Sequence, residues 1–118
     1  MILTTQKLFN ISKNKFISNH VVEAKSFRQR AKGLLGQAGL DGNECLWIHS
    51  CSSIHTFFMK FAIDVLYVDL NLKVTRIDRE VDPWGVSWGG FKSKSCFEFQ
   101  AKNLDFEIEL GDSLRVSS

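Results

Sequence analysis

The sequence SIHTFFMKFAIDVLYVD, residues 53–69, decides how the chain folds. It contains two runs rich in β-branched and aromatic residues, 54–59 and 63–69, joined by Lys60, Phe61 and Ala62. Such runs favour strands, and a joint of this length is typical of a hairpin loop. The stretch therefore predicts a β-hairpin, and residues 73–77 (KVTRI) extend it to a three-stranded antiparallel meander.

The rest of the chain predicts further short strands and little helix. Strand patterns recur in five other segments, residues 6–11, 15–24, 45–48, 95–99 and 113–116. Ser26 is a suitable N-cap for a helix of about ten residues, which Gly36 and Gly39 would end. A short helical turn is expected near residues 101–104, and residues 78–93 read as a loop rich in Trp and Gly.

These elements indicate one α+β domain over residues 1–118. We expect a compact, mainly antiparallel sheet that is curled or barrel-like, with one or two short helices. The composition supplies one core, because 44% of the residues are hydrophobic and ten are Phe. The chain length leaves no room for a second core.

The charge distribution and the number of cysteines limit which partners and which cellular compartment we expect. The net charge is +2, and the 15 Lys and Arg residues are spread along the chain, whereas nucleic-acid binders carry a dense basic stripe. The N-terminus has no signal-peptide pattern and no long apolar run follows, so we expect no membrane insertion and a cytoplasmic location. An odd number of Cys, three, suits a reducing compartment.

Soft ligand atoms accumulate around the opening stretch, at Cys51, His55 and Met59. Along a strand that rises about 3.3 Å per residue, His55 and Met59 lie about 13 Å apart and cannot bind one metal ion. The chain also lacks a Cys-x2-Cys or His-x3-His pair. We therefore expect no metal and no cofactor, with a metal-binding protein kept as an alternative.

Cys51 and His55 also suit a nucleophile and its general base. Four residues apart, they become neighbours only if residues 51–55 form a helical turn. A hydrolase or redox enzyme that uses this pair stays open as a second alternative.

Asp64 is a charged residue inside an apolar strand, where it needs hydrogen-bond partners. Across the predicted hairpin, Phe58 lies opposite Asp64 and Thr56 lies diagonally. Asp64 would then accept hydrogen bonds from the Thr56 hydroxyl or from the amides of residues 60–62. It is either an anchor for the turn or a polar contact in a ligand pocket.

Two further groups border this region. The Trp- and Gly-rich residues 84–91 can stack on a sugar, base or peptide, or fold back over the open end of the sheet. Arg28 and Arg30 of the predicted helix are either solvated or directed towards Asp64.

Several motifs, taken in order, resemble a small prokaryotic family catalogued as domain of unknown function 192. They are SFRQRAKGLLG (26–36), CLWI (45–48), Cys51, SIHTFFM (53–59), IDVLYVD (63–69), Pro83-Trp84 and Gly111-Asp112. The resemblance spans about residues 20–116 and is most specific in the His-Thr-x-x-Met…Ile-Asp segment. Leu35, Phe58 and Ala62 depart from the residues usual in that family, which are Met, a small or polar residue, and Pro.

The resemblance implies a compact α+β domain with a barrel-like sheet and no established activity. Members similar to this His-Thr subtype tend to occur near genes for type IV (tight-adherence) pili or secretion, which implies an accessory role. The bulk of Phe58 would fill part of any cleft that the family keeps open.

We therefore predict a cytoplasmic, non-enzymatic domain that binds a small ligand or a protein segment. The predicted ligand-binding residues are Arg28, Arg30, His55, Thr56, Met59, Asp64 and Trp84. The sequence predicts no oligomeric state.

Overall fold

A computed structural model of the chain describes residues 6–24 and 40–118, and all regular structure in these ranges is β. The strands are β1 (Gln6–Asn10), β2 (Lys15–Ala24), β3 (Cys45–Ile48), β4 (Ser53–His55), β5 (Ile63–Val68), β6 (Val74–Val81), β7 (Val86–Trp88), β8 (Ser95–Gln100) and β9 (Leu114–Ser117). The α+β prediction is therefore wrong for the described ranges. The predicted helix that starts at Ser26 lies outside them.

Seven strands form one curled sheet in the order β6-β5-β8-β3-β2-β1-β9. β2 and β3 run parallel, and the other neighbours run antiparallel. The two edges meet at a bridge between Lys73 and Ser113, where the Val74 amide also donates to the Asp112 carbonyl at 2.9 Å. The predicted antiparallel, barrel-like sheet is thus confirmed, and the edges close on each other at one end.

The sheet is buried on both faces along β5, the strand next to the edge strand β6. Leu66 and Val68 point into the barrel with Phe97, while the alternate residues Val65 and Tyr67 point outward into a second apolar cluster. A strand covered on both faces reads as a continuous apolar run rather than an alternating one. This explains why the sequence of β5 is so hydrophobic.

A short antiparallel ribbon, β4 paired with β7, covers the outer face of the sheet. Ile54 of the ribbon is buried in the outer cluster, together with Met59 and Phe61 from the loop that follows. The predicted hairpin of residues 54–59 with 63–69 is wrong, so the three-stranded meander does not form. Its second pair, residues 63–69 with 73–77, is confirmed as the antiparallel pair β5–β6. β4 ends at His55, and β5 instead pairs with β6 and β8.

The loop predictions also change in detail. β6 continues to Val81, and β7 lies inside the predicted loop 78–93. Residues 101–104 form hydrogen-bonded turns rather than a helical turn. Among the described residues, no helix is long and apolar enough to cross a membrane.

Candidate functional site

An exposed group of mostly aromatic side chains lies on the ribbon and its two flanking turns. We call it the aromatic surface, and it consists of His55, Phe57, Phe58, Trp84, Val86, Trp88 and Phe91. Phe58, Trp84 and Phe91 expose 67%, 61% and 88% of their area. Large apolar side chains in such numbers on one exposed element indicate a contact surface.

The rings of this surface stack on one another in two groups. His55 stacks on Phe57 with ring centres 4.8 Å apart. Trp84 lies 5.8 Å from Phe57 and 4.6 Å from Phe58. Trp88 contacts Phe91 edge to face at 5.3 Å. Each ring is thus partly held by its neighbours while the surface stays open to solvent.

Two of these aromatic residues have a strained backbone. Phe58 has φ of 67° and Trp84 has φ of 64°, the left-handed region that residues with a bulky side chain rarely adopt. Such conformations persist only where the surrounding contacts hold them, and they concentrate at functional sites.

Thr56 supplies the contacts that hold this strained end together. Its hydroxyl donates to the Asp82 carbonyl and accepts from the Gly85 amide at 2.8 Å. Its backbone carbonyl accepts from the Trp84 amide at 2.9 Å. Thr56 therefore ties the turn after β4 to the turn before β7 and positions Trp84.

The inner face of the ribbon is bonded to the sheet through Ser87. The Tyr67 hydroxyl lies 2.8 Å from the Ser87 oxygen, and Ser87 in turn donates to the Asp78 carboxylate. Burial raises the pKa of Tyr67, so its hydroxyl keeps the proton that it donates. At Gly89, any Cβ would overlap the Tyr67 ring, so glycine is needed for the ribbon to approach this closely.

Asp64 is fully buried and anchors β6 and the turn at residues 101–104 to β5. Its carboxylate accepts from the amides of Glu80 at 2.8 Å, Lys102 at 2.9 Å and Leu104 at 3.3 Å. The Arg79 guanidinium lies 3.9 Å away. The predicted hydrogen bonds from Thr56 or from residues 60–62 are wrong, because the hairpin they required does not form.

The predicted ligand-binding residues separate by exposure. His55 and Trp84 lie on the aromatic surface, whereas Thr56, Met59 and Asp64 are buried. Arg28 and Arg30 lie outside the described ranges. Ligand contact at all of these residues stays a prediction, and of the buried ones Thr56 is bonded to the turn that carries Trp84.

Cys51 borders the same region on the other side of β4. Its thiol donates to the Ser53 carbonyl at 3.0 Å, and its amide donates to the Lys94 carbonyl at 2.9 Å. It lines an open cleft of about 740 Å³ together with His55, Phe57 and Trp88. Residues 51–55 do not form the helical turn that a Cys51–His55 pair requires, and catalysis by this pair stays a prediction.

The other thiols and the metal-binding alternative add little to this site. Burial raises the pKa of Cys45 to about 12, so its thiol is protonated inside the barrel. Within residues 6–24 and 40–118, no three His, Cys, Asp or Glu side chains are grouped as metal ligands.

Sequence reasoning missed the strand β7 and the role of Ser87. The signal was present in Val86-Ser87-Trp88, an alternating triplet bounded by Gly85 and Gly89. A three-residue strand is too short to identify without knowing its partner. Its partner, β4, ends about 30 residues earlier in the chain, beyond any local rule.

A known protein family matches most of the chain by sequence. The sequence profile of DUF192, described as "Uncharacterized ACR, COG1430", matches residues 9–116. No curated protein matches the chain.

Two solved structures share the fold. One, a protein of unknown function from Novosphingobium aromaticivorans, has a TM-score of 0.76 and 16% identity over 95% of this chain and 84% of that one. The other, a proposed transcription regulator from Sinorhizobium meliloti, has a TM-score of 0.79 and 12% identity over 98% of each chain. At these identities the likeness supports the fold alone.

Proposed function

The chain belongs to the DUF192 family, and from that premise we propose that it is a non-catalytic binding module whose ligand contacts the aromatic surface. The observation that carries the proposal is the placement of six aromatic side chains on the exposed side of one ribbon and its turns. Trp and other large aromatic residues contribute most of the free energy at binding surfaces.

The ligand of this surface is neutral. Residues 53–58 and 84–91 contain no Asp, Glu, Lys or Arg, and His55 is their only titratable side chain. A phosphate or nucleic-acid ligand would need cationic side chains at the contact. The ligand classes that remain present apolar or planar faces to the aromatic rings, as neutral sugars and uncharged peptides do.

Rigidity of the support favours binding. The Thr56 bonds fix one end of the ribbon, and the Tyr67–Ser87–Asp78 chain fixes its inner face. A surface that is ordered before the ligand arrives loses less conformational entropy on binding. Thr56, one of the residues predicted to contact the ligand, supports the site in this way.

A binding surface of this kind suits the accessory role beside pili or secretion systems that the family resemblance implies. The cytoplasmic location and the single domain over residues 1–118 belong to the same proposal. Recruitment of a neutral partner needs no catalytic group.

A substitution of Trp88 tests the proposal. We expect Trp88→Ala to weaken binding about tenfold or more, as hot-spot aromatic residues do. The probes are a displayed library of random short peptides and an array of neutral oligosaccharides, screened with the wild-type protein. Affinities of the recovered probes are then measured by calorimetry for each variant.

Phe16→Ala is the matched control. Phe16 is also an exposed aromatic residue, 51% exposed against 55% for Trp88, but lies on β2 away from the ribbon. It should leave affinity unchanged. Probes that bind equally well to wild type and Trp88→Ala would overturn the proposal.

A further inference from the structure

We propose that the ligand is an extended polypeptide segment that adds to the ribbon as a third strand, along the outer edge of β7. This inference rests on the proposed binding function and names the ligand class. It comes from the hydrogen-bonding directions of three residues, Val86, Ser87 and Trp88, rather than from the aromatic rings.

The pairing of the ribbon fixes which backbone groups point outward. The Gly89 amide donates to the Ser52 carbonyl at 2.8 Å, and the Thr56 amide donates to the Gly85 carbonyl at 2.9 Å. In an antiparallel pair, hydrogen-bonded residues alternate with residues whose backbone groups face away. Residues 85, 87 and 89 therefore face β4, and the amides and carbonyls of Val86 and Trp88 face the opposite edge.

These outward groups have no hydrogen-bond partner among the described residues. Two N–H and two C=O groups thus stand at alternate residues along one edge. That spacing matches the backbone of an extended peptide, which binds such edges by strand addition. A sugar has no donors and acceptors with this repeat, so the edge favours a polypeptide.

The two kinds of edge in this molecule are built differently. β6, at the edge of the large sheet, has the sequence VTRIDREV with four charged residues, and charged side chains are a common protection against unwanted strand pairing. β7 has the sequence VSW, with no charge, no proline and no bulge in its pairing. The β7 edge therefore lacks the charged side chains that protect β6 against an added strand.

The side chains of the ribbon also suit a peptide. Val86 and Trp88 project from the exposed face of the ribbon. An added strand would place alternate side chains beside them, so the segment carries uncharged, apolar residues at alternate positions.

N-methylation of the bound peptide tests the strand geometry. The probe is the tightest binder from the displayed peptide library, synthesised as a series with one methylated amide in each member. Strand addition predicts a period of two, because only alternate amides donate to β7. Methylation at those positions should weaken binding about threefold to tenfold, the effect of one hydrogen bond, and methylation between them should change little.

A pair of protein variants tests the same bonds from the other side. Val86→Pro removes the outward N–H, which the ribbon itself does not use, and Val86→Ala removes most of the side chain but keeps the N–H. Proline is tolerated on strand edges where its nitrogen faces outward. We expect Val86→Pro to weaken peptide binding at least threefold more than Val86→Ala. The methylation series decides the question if Val86→Pro does not fold.

The outcomes separate the two proposals. If Trp88→Ala abolishes binding but methylation shows no period of two, strand addition is wrong and the binding function stands. If the period is present but Trp88→Ala and Trp84→Ala have no effect, the aromatic surface is not the binding site. If the library yields no binder, the ligand is not a peptide and the inference is wrong. If the protein forms a dimer that Val86→Pro dissociates, the added strand comes from a second copy of this chain and not from a separate peptide.

Discussion

Asp64 joins β6 and the turn at residues 101–104 to β5 through one buried carboxylate. Its bonds reach the amides of Glu80, Lys102 and Leu104, of which Glu80 and Lys102 have positive φ values of 53° and 76°. The sequence predicted that this acid needs hydrogen-bond donors, because a charge inside an apolar strand is costly. It could not name them, since they come from segments 16 to 40 residues away.

Replacing Asp64 by Asn should destabilise the protein by about 2–4 kcal/mol. The Asn side chain has an NH2 group in place of one carboxylate oxygen, so at least one buried backbone N–H loses its acceptor. Urea unfolding of both proteins measures the difference. Asp41→Asn, at an exposed residue, is the control and should change stability by about 0.5 kcal/mol or less. Equal losses in the two variants would show that Asp64 is not the anchor.

At the scale of the elements, the sequence predicted correctly the strands whose own residues carry a clear β pattern. β2, β3, β5 and β8 lie where the sequence placed them, because each run is rich in β-branched or aromatic residues and is bounded by turn residues. The β4–β7 pair was missed because two three-residue strands carry almost no pattern. The expected hairpin failed because Phe58 and Met59 turn and pack locally instead of continuing β4.

Residues 101–104 show the same limit in a different way. The expected helical turn does not form, because tertiary bonds take the backbone groups that a helix would use. Asp64 binds the amides of Lys102 and Leu104, and Arg79 binds the carbonyls of Leu104 and Asp105 at 3.0 and 2.8 Å. Such partners cannot be predicted from a local pattern.

Ser87 tests whether the ribbon depends on its inner hydrogen bonds. Ser87→Ala leaves the buried Tyr67 hydroxyl without its oxygen partner, so we expect a loss of about 1–3 kcal/mol in unfolding free energy. Tyr67→Phe in the Ser87→Ala background should recover part of that loss, since neither group is then unsatisfied. Ser53→Ala, an exposed serine of the facing strand, is the control. A Ser87→Ala protein as stable as this control would contradict the role of the network.

For the whole molecule, Asp112 lies where the sheet closes on itself. Its carboxylate accepts from the Asn10 side chain at 2.9 Å, the Glu109 amide at 3.0 Å and Lys13 at 3.2 Å. Burial acts to raise the pKa of Asp112, but these donors together hold it below the ordinary value of 3.8. The ionised form is therefore preferred by the folded protein.

This preference gives a pH dependence with a definite sign. A carboxyl group with a lower pKa in the folded state adds stability above its unfolded pKa, about 3.8, and loses that contribution as the pH falls through the folded value. Asp112→Asn should therefore cost about 1–3 kcal/mol at neutral pH and progressively less in acid. Thermal unfolding of both proteins across this range measures it, and a difference that is constant with pH would contradict the assignment.

The central claim is that the ribbon carries the binding surface, and amide chemical-shift mapping by NMR tests it most directly. The wild-type protein is titrated with the tightest probe from the peptide library or the oligosaccharide array. We predict shift changes concentrated in residues 53–58 and 84–91, lost in Trp88→Ala and retained in Phe16→Ala. Shift changes confined to β1 and β2, which β3 and β8 separate from β5 in the sheet, would contradict the account.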